Sequence, residues 1–183
     1  MVFHAKQTAL LLFALCVFAS SALAAGVDVP NGSTMAVATG TLEVTGDISF
    51  AGTLSATSGF ISLTGNWTNS GTFTANSSTV AFKGAANQTM THLSQDFYNL
   101  VLNNNGGASD VIPSAGTVNV NNNLTVTDGV LKLDTNNTAL TVDAATSVAA
   151  AGAITCGTAT TTFTGAATVA GTFTGSSNTK TFG

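Results

Sequence analysis

The feature that most restricts the fold of this chain is a series of short alternating apolar pairs separated by polar corners. The clearest stretch reads GTVNVNNNLTVTDGVLKLDTNNTALTVD, residues 116–143. Successive side chains of a β-strand point to opposite faces, so an apolar pair at i and i+2 predicts one short strand with one buried face. The stretch contains four such pairs: Val118 and Val120, Leu124 and Val126, Leu131 and Leu133, and Leu140 and Val142.

The spacing of these pairs indicates a stack of small coils. Strands of about three to five residues recur about every six to nine residues, which gives roughly 20 residues for a coil of three strands and three corners. Asn and Gly at the corners supply the left-handed backbone conformations that such bends require. We therefore predict an all-β fold, a right-handed parallel β-helix (β-solenoid) of about eight coils, for residues 25–183.

Two asparagine triplets support a more detailed expectation. They occupy residues 103–105 and 121–123, and their separation is close to the predicted coil length. We therefore expect the triplets to stack on successive coils as an amide ladder, in which each carboxamide satisfies the donors and acceptors of its neighbour.

The main rival among exported β proteins is a transmembrane β-barrel. Such a barrel needs strands of about 9 to 11 residues and aromatic girdles at both membrane interfaces. The apolar runs here are shorter, as in FISLTG at residues 60–65, and the chain contains one Trp and one Tyr. Helical periodicity is absent after residue 25. The sequence therefore favours the solenoid over the barrel.

The segment 1–24 has the pattern of a secretory signal peptide. Lys6 precedes a mostly apolar stretch, TALLLFALCVFA, and the sequence SALA places Ala22 and Ala24 at the small positions of a cleavage site. The alternative, a membrane-spanning helix, needs about 20 apolar residues and is disfavoured because this run is shorter. We expect cleavage after Ala24, export to the cell surface or beyond, and no membrane span in the remaining chain.

The charge of the predicted mature chain excludes one class of partner. It has three lysines, no arginine and eight acidic residues, so its net charge is 3 − 8 = −5. A nucleic-acid-binding protein needs a basic stripe to neutralise phosphates. We therefore expect no nucleic-acid partner, and anionic membrane surfaces are disfavoured for the same reason.

Few residues are candidates for catalysis. His92 is the one histidine of the mature chain, and THLSQDF places it near Ser94 and Asp96, which would share a face if the segment were a strand. The simpler interpretation is a corner insertion whose polar groups face water. Cys156 lacks a second mature cysteine, and we expect a small buried residue rather than a reactive thiol. We assign no catalytic, cofactor-binding or metal site, and no cofactor.

Other ligand classes receive weak support. Asp128, Asp134 and Asp143 leave isolated calcium binding open, but the nonapeptide repeat of calcium β-rolls is absent. A polysaccharide lyase usually needs clustered acids with a Lys or Arg base. The mature chain has three lysines and no arginine, so a lyase is a weak alternative. Ice binding needs a Thr-x-Thr triplet in register on each coil, whereas the triplets cluster near residues 158–174.

The chain also contains one sequence motif twice, at two positions that are far apart. GTFTANSSTVAFKG begins at Gly71, and GTFTGSSNTKTFG begins at Gly171, with the same offset at each matching position. The second copy ends at Gly183 without a segment that would cap the last coil. We therefore expect the solenoid to be truncated at its C-terminal end, or covered there by another molecule.

These motifs carry a resemblance to a known class of proteins. GNWTNSGTFTANSSTVAFKG (65–84), NQTMTHLSQDFYNLVLNNNGG (87–107) and the stretch from residue 116 resemble the strand-repeat regions of large bacterial secreted and cell-surface proteins, which are adhesin-like parallel β-helices. The resemblance covers about residues 40–143, and 144–183 more weakly. Leu102 stands where that pattern has Ile. The family has no shared catalytic motif to carry over.

The resemblance implies a structural or adhesive segment, a stalk or spacer, of a bacterial surface or secreted protein, without catalysis. Surface glycans, other cell-surface proteins or further repeats of the same chain are the implied partners. The alternatives left open are a carbohydrate-binding or lyase-like β-helix and, as a minor one, an ice-binding solenoid.

Overall fold

The computed structural model describes residues 12–13, 21–23, 26–106, 109–178 and 180–183. The predicted signal peptide, residues 1–24, lies outside these residues apart from two short strands. The described part of the chain consists of strands, turns and bends, without a helix. Its strands are β1 Leu12–Phe13, β2 Ser21–Leu23, β3 Val27–Val29, β4 Thr34–Val37, β5 Thr41–Val44, β6 Ile48–Phe50, β7 Thr53–Ala56, β8 Phe60–Leu63, β9 Trp67–Asn69, β10 Thr72–Thr74, β11 Thr79–Phe82, β12 Gln88–Thr91, β13 Asn99–Asn103, β14 Asp110–Pro113, β15 Thr117–Val120, β16 Leu124–Lys132, β17 Ala139–Val142, β18 Thr146–Thr155, β19 Thr161–Phe163, β20 Ala167–Val169, β21 Thr172–Thr174 and β22 Lys180–Phe182.

The strands stack in parallel on three faces, and each turn gives one strand to each face, except that, within the described residues, the turn with β11 and β12 has no strand on face 3. Face 1 consists of β2, β5, β8, β11, β13, residues 124–126 of β16, residues 146–148 of β18, and β20. Face 2 consists of β3, β6, β9, β12, β14, residues 128–132 of β16, residues 151–155 of β18, and β21. Face 3 consists of β1, β4, β7 and β10, followed by β15, β17, β19 and β22.

This architecture is a β-solenoid, as the spacing of apolar pairs predicted, with about 7 turns instead of the predicted eight or so. Residues paired along face 1 mark the same position on successive turns. The paired positions are 42, 61, 80, 100, 124, 146 and 167, so the turns differ in length, and the longest runs from Leu100 to Leu124. The predicted coil length, about 20 residues, is confirmed. The right-handed winding stays a prediction.

Alternate side chains from the three faces meet in one apolar column inside the coil. All eight residues of the four predicted pairs are buried, with at most 1% of each side chain exposed. Phe50, Trp67, Phe73 and Phe97 pack together in the first half of the column, with ring centroids 5.0–6.3 Å apart. This column removes apolar surface from water at about 25 cal/mol per Å², and no single turn encloses enough surface to do so alone.

Side-chain oxygens at the corners bind the backbone of the next turn. Asp47 Oδ1 accepts from the Asn66 N–H at 2.6 Å, and Asn66 Oδ1 accepts from the Thr89 N–H at 2.8 Å. The same contact recurs from Asn123 to the Ala145 N–H at 3.1 Å and from Asn137 to the Ala159 N–H at 2.7 Å. Corner backbone groups that would otherwise lack a partner are satisfied in this way.

The predicted stacking of the two asparagine triplets is wrong. Residues 103–105 leave face 1 at its corner with face 2, whereas residues 121–123 lie at the corner between faces 3 and 1. The turn from Leu100 to Leu124 is longer than the separation of the triplets, so that separation cannot join equivalent positions. The amide that lies beneath the second triplet is Asn99, whose Oδ1 accepts from Asn122 Nδ2 at 2.9 Å.

The two copies of the repeated motif, which begin at Gly71 and Gly171, lie on different faces of the solenoid. The first GTFT forms β10 on face 3, and the second forms β21 on face 2. The repeated unit is therefore a strand, a corner and a strand, which fits any pair of neighbouring faces, and it does not mark a whole turn.

Glycine is required where corners of successive turns meet. A Cβ on Gly71 would lie 2.1 Å from the carbonyl oxygen of Gly52, and a Cβ on Gly52 would lie 2.3 Å from the carbonyl oxygens of Pro30 and Ser33. Both distances are far below van der Waals contact, and the opposing atoms are backbone atoms that cannot rotate away.

We predict that Gly71→Ala lowers the free energy of unfolding by about 1–3 kcal/mol, because the added methyl group forces two turns apart. Thermal and urea unfolding monitored by circular dichroism would measure the change. Gly175→Ala is the matched control, since its Cβ would meet nothing closer than Phe173 Cε1 at 3.7 Å. Equal stability of the two variants would contradict this account of the corner.

Candidate functional site

Face 3 is interrupted at the segment that contains the one histidine of the predicted mature chain. Among the described strands, β10 ends the first sheet of this face and β15 begins the second. Residues 92–97 lie between them, and we call this segment the splice. Its backbone turns sharply, because Leu93 and Ser94 have φ angles of 50° and 54°, in the left-handed region. The splice rejoins the next turn at Phe97, which bridges to Val120.

The side chain of Gln95 takes the place of a missing strand beside β10, the face-3 strand of the preceding turn. Its Oε1 accepts from the Phe73 backbone N–H and, at 2.7 Å, from Asn69 Nδ2. Its Nε2 donates to the carbonyl oxygen of Gly71 at 2.9 Å. One carboxamide thus supplies the acceptor and the donor that a backbone peptide would offer to the edge of β10.

His92, the first residue of the splice, is buried, and both of its ring nitrogens have a hydrogen-bond partner. Nδ1 accepts from the Ser94 N–H at 3.0 Å, and Nε2 lies 3.2 Å from the carbonyl oxygen of Ser114. A backbone N–H can only donate, so the ring is neutral with its proton on Nε2. Burial lowers the pKa of His92 below 6.5, and the hydrogen bond to Ser114 opposes that shift.

The structure does not assemble His92, Ser94 and Asp96 into a catalytic group. Ser94 lies in a left-handed turn, so the segment is not the strand on which the three side chains would share a face. The two carboxylate oxygens of Asp96 accept from Asn119 Nδ2 at 3.0 Å and Asn121 Nδ2 at 3.2 Å. The expectation that the polar groups of this insertion face water holds for Asp96 and is wrong for His92, which is 1% exposed.

Cys156 lies in the core, as expected for a small buried residue. Its side chain is 4% exposed, and Thr161 Oγ1 donates to its sulfur at 3.4 Å. Burial raises the pKa of the Cys156 thiol above its usual value, and the hydrogen bond from Thr161 acts in the opposite direction. The protonated thiol is a weak nucleophile.

The three aspartates considered for calcium lie at different corners. Asp128 follows face 1, Asp134 follows face 2 and Asp143 follows face 3. Asp128 Oδ1 accepts from the Gly129 N–H at 2.8 Å, and Asp134 pairs with Lys132 at 3.9 Å. The residues that the structure describes contain no group of three or more His, Cys, Asp or Glu side chains that could hold a metal ion.

The threonine triplets near the end of the chain do not share one face. Thr162 lies on face 3, and Thr172 with Thr174 lies on face 2. A separate threonine row on face 3 pairs Thr34 with Thr53 and Thr53 with Thr72. It borders a shallow groove of about 270 Å³ beside Gly52.

A second groove, of about 250 Å³, crosses the outside of face 1. Glu43 and Lys83 lie at its two sides, with Ser62 between them. Sequence analysis did not identify this groove or Gln95. The groove joins three turns that are distant in sequence, so no local pattern indicates it. For the splice, the one sequence signal is the absence of an apolar pair between Thr91 and Phe97.

Comparison of the chain with models of protein families, with curated proteins and with solved structures found no match. Within the described residues there is no helix with the length and apolar character needed to cross a membrane.

We predict that Gln95→Ala lowers the free energy of unfolding by about 1–3 kcal/mol, because the Phe73 N–H and the Gly71 carbonyl lose their partner. Urea unfolding would measure the loss. Leu93→Ala is the matched control in the same segment: Leu93 is 53% exposed, and we expect a change within about 0.5 kcal/mol. The bridging role of Gln95 is disproved if both variants unfold at the same urea concentration.

His92 predicts a pH dependence of stability. In the unfolded chain the imidazole binds a proton near pH 6.5, and in the folded chain it does so only at lower pH. Its contribution is therefore complete above about pH 6.5 and is lost as the pH falls through the folded pKa. We expect the melting temperature to fall more steeply between about pH 8 and pH 5 in the unmodified protein than in His92→Gln. Identical pH profiles would contradict this role for His92.

Proposed function

We propose that this chain is a rigid spacer in an exported, adhesin-like repeat protein of a bacterial surface, and that it performs no catalysis. The observation that carries the proposal is the uninterrupted pairing of successive turns on faces 1 and 2 around one apolar column. Each turn adds one strand spacing, about 4.8 Å, to the length of the stack. The length of such a segment is therefore set by the number of its turns.

Stiffness in this design comes from the direction of the hydrogen bonds. In a solenoid the ladders run along the axis, so bending stretches bonds on the convex side. Examples are the bond from the Lys83 N–H to the Leu63 carbonyl oxygen at 2.8 Å and that from the Thr64 N–H to the Val44 carbonyl oxygen at 3.1 Å. Because faces 1 and 2 both carry continuous ladders, several bonds must lengthen together before the rod bends.

The scarcity of charged and exposed reactive side chains agrees with a mechanical role. Charged residues make up 7% of the sequence. His92 and Cys156 are both buried in the stack. Export and display outside the cell rest on the sequence pattern of residues 1–24 and on the resemblance to bacterial surface repeats.

We predict that duplicating residues 60–78 lengthens the protein without unfolding it. Phe60 pairs with Thr79, so an inserted copy begins where the next turn begins and every strand keeps its face. Spin labels on Ala38→Cys and Ser147→Cys, in a Cys156→Ala background, would report the change by double electron–electron resonance. We expect the mean label distance to increase by about 4.8 Å while its distribution stays narrow.

The control for this experiment is a duplication of residues 69–78, which adds about half a turn and moves the following strands to the wrong faces. We expect this variant to unfold, because its apolar residues would face solvent. A broad label-distance distribution in the full-turn variant, or no increase in distance, would refute the rigid spacer.

A further inference from the structure

The outer surface of face 1 carries a compact grid of side chains from three consecutive turns. The outward residues of β5, β8 and β11 and of the position after each strand lie in register, because these strands pair in parallel without a shift. The three rows are Thr41, Glu43 and Thr45; Phe60, Ser62 and Thr64; and Thr79, Ala81 and Lys83. The groove of about 250 Å³ runs through this grid, and we call it the face-1 groove.

Lys83 differs from the other lysines of the described chain in what it contacts. Lys132 lies 3.9 Å from both Asp110 and Asp134, and Lys180 donates to the carbonyl oxygen of Ala159 at 3.2 Å. Within the same part of the chain, the ammonium of Lys83 contacts neither a carboxylate nor a carbonyl oxygen. Its ammonium lies 4.9 Å from the ring centroid of Phe60, which orients it beside the groove without neutralising its charge.

Glu43 lies on the opposite side of the groove. Strands β5 and β11 are two strand spacings apart, about 9.6 Å, with β8 between them. Within the described residues Glu43 forms no ion pair with Lys83, so the carboxylate and the ammonium face a shared gap. A bound group that donates to one side and accepts from the other would make charge-assisted hydrogen bonds with both.

A small side chain forms the floor of the groove. Ser62 lines the groove and is 4% exposed although it points outward. Thr45 and Thr64 continue the polar lining beyond the charged pair. The groove is smaller than the roughly 300–1,000 Å³ of most small-molecule sites, so its size suits a single ring.

We infer that the face-1 groove binds one neutral hexose ring of a glycan. Each sugar hydroxyl both donates and accepts, so one ring can donate to Glu43 and accept from Lys83. A ligand with a net charge would meet a like charge on one side of the groove. This inference is separate from the spacer role, which depends on the stacking of turns.

The test is a titration of the isotope-labelled protein with methyl glucoside, methyl galactoside and methyl mannoside, followed by amide chemical shifts. We expect at least one hexoside to shift the amides of Glu43, Ser62 and Thr64, with saturation at about 1–10 mM, as weak single-ring binding implies. Glu43→Gln and Lys83→Met should each raise the dissociation constant about fivefold, while the rest of the spectrum stays unchanged.

Lys132→Met is the matched control, because it removes a lysine from face 2 whose charge is already paired, and its dissociation constant should match that of the unmodified protein. The assignment is overturned if no hexoside shifts these amides, or if both groove variants bind like the control. Larger shifts with zwitterionic alanine than with any hexoside would also overturn it, since a small dipolar ion would then be the ligand. If the turn duplication fails to lengthen the protein but the hexoside still binds, the spacer role is rejected and the binding site is retained.

Discussion

The structure depends on backbone hydrogen bonds that pass from each turn to the next. Strand residues have no pairing partner within their own turn, because the three strands of a turn lie on different faces. A buried peptide group without a partner costs about 1–3 kcal/mol, so an isolated turn would leave most of its polar backbone unsatisfied. Stacking satisfies these groups and closes the apolar column in the same step, which makes neighbouring turns mutually dependent.

Side chains, most often amides, take over this bonding at corners and at the splice, where the backbone does not supply it. At the corners, Asn66 and Asn123 accept the N–H of a later turn, and at the splice Gln95 both accepts and donates along the edge of β10. A carboxamide has the same donor and acceptor as a peptide group and carries no charge. Asp47 is a single exposed charge at such a corner. Charged side chains on every turn would place like charges about 4.8 Å apart. The abundance of Asn and the scarcity of charge are therefore two results of one constraint.

Much of the architecture could be predicted because its signals are local. The pairs Leu124 and Val126, or Leu140 and Val142, show an apolar face within one short strand, and the distance between pairs limits the coil length. The alignment of one turn on the next could not be predicted, because the turns differ in length and the extra residues are absorbed at corners. The asparagine triplets, the echo of GTFT and the environment of His92 all depend on that alignment. The face-1 groove depends on it too, since Glu43 and Lys83 line one groove only after three turns have stacked.

The splice gives the rod one side that differs mechanically from the other two. On face 3 the ladder between β10 and the turn above is carried by Gln95 rather than by a strand, whereas the same turn places β11 on face 1 and β12 on face 2. Bending that opens face 3 therefore stretches the bonds of one side chain, while bending that opens either other face stretches a strand ladder. Packing of Phe97 against Trp67 and Phe73, at 5.9 Å and 5.7 Å, keeps the apolar column continuous behind the interruption. The column thus resists separation of the turns at the splice, and the direction in which the rod bends most easily is set by the face that lacks a strand.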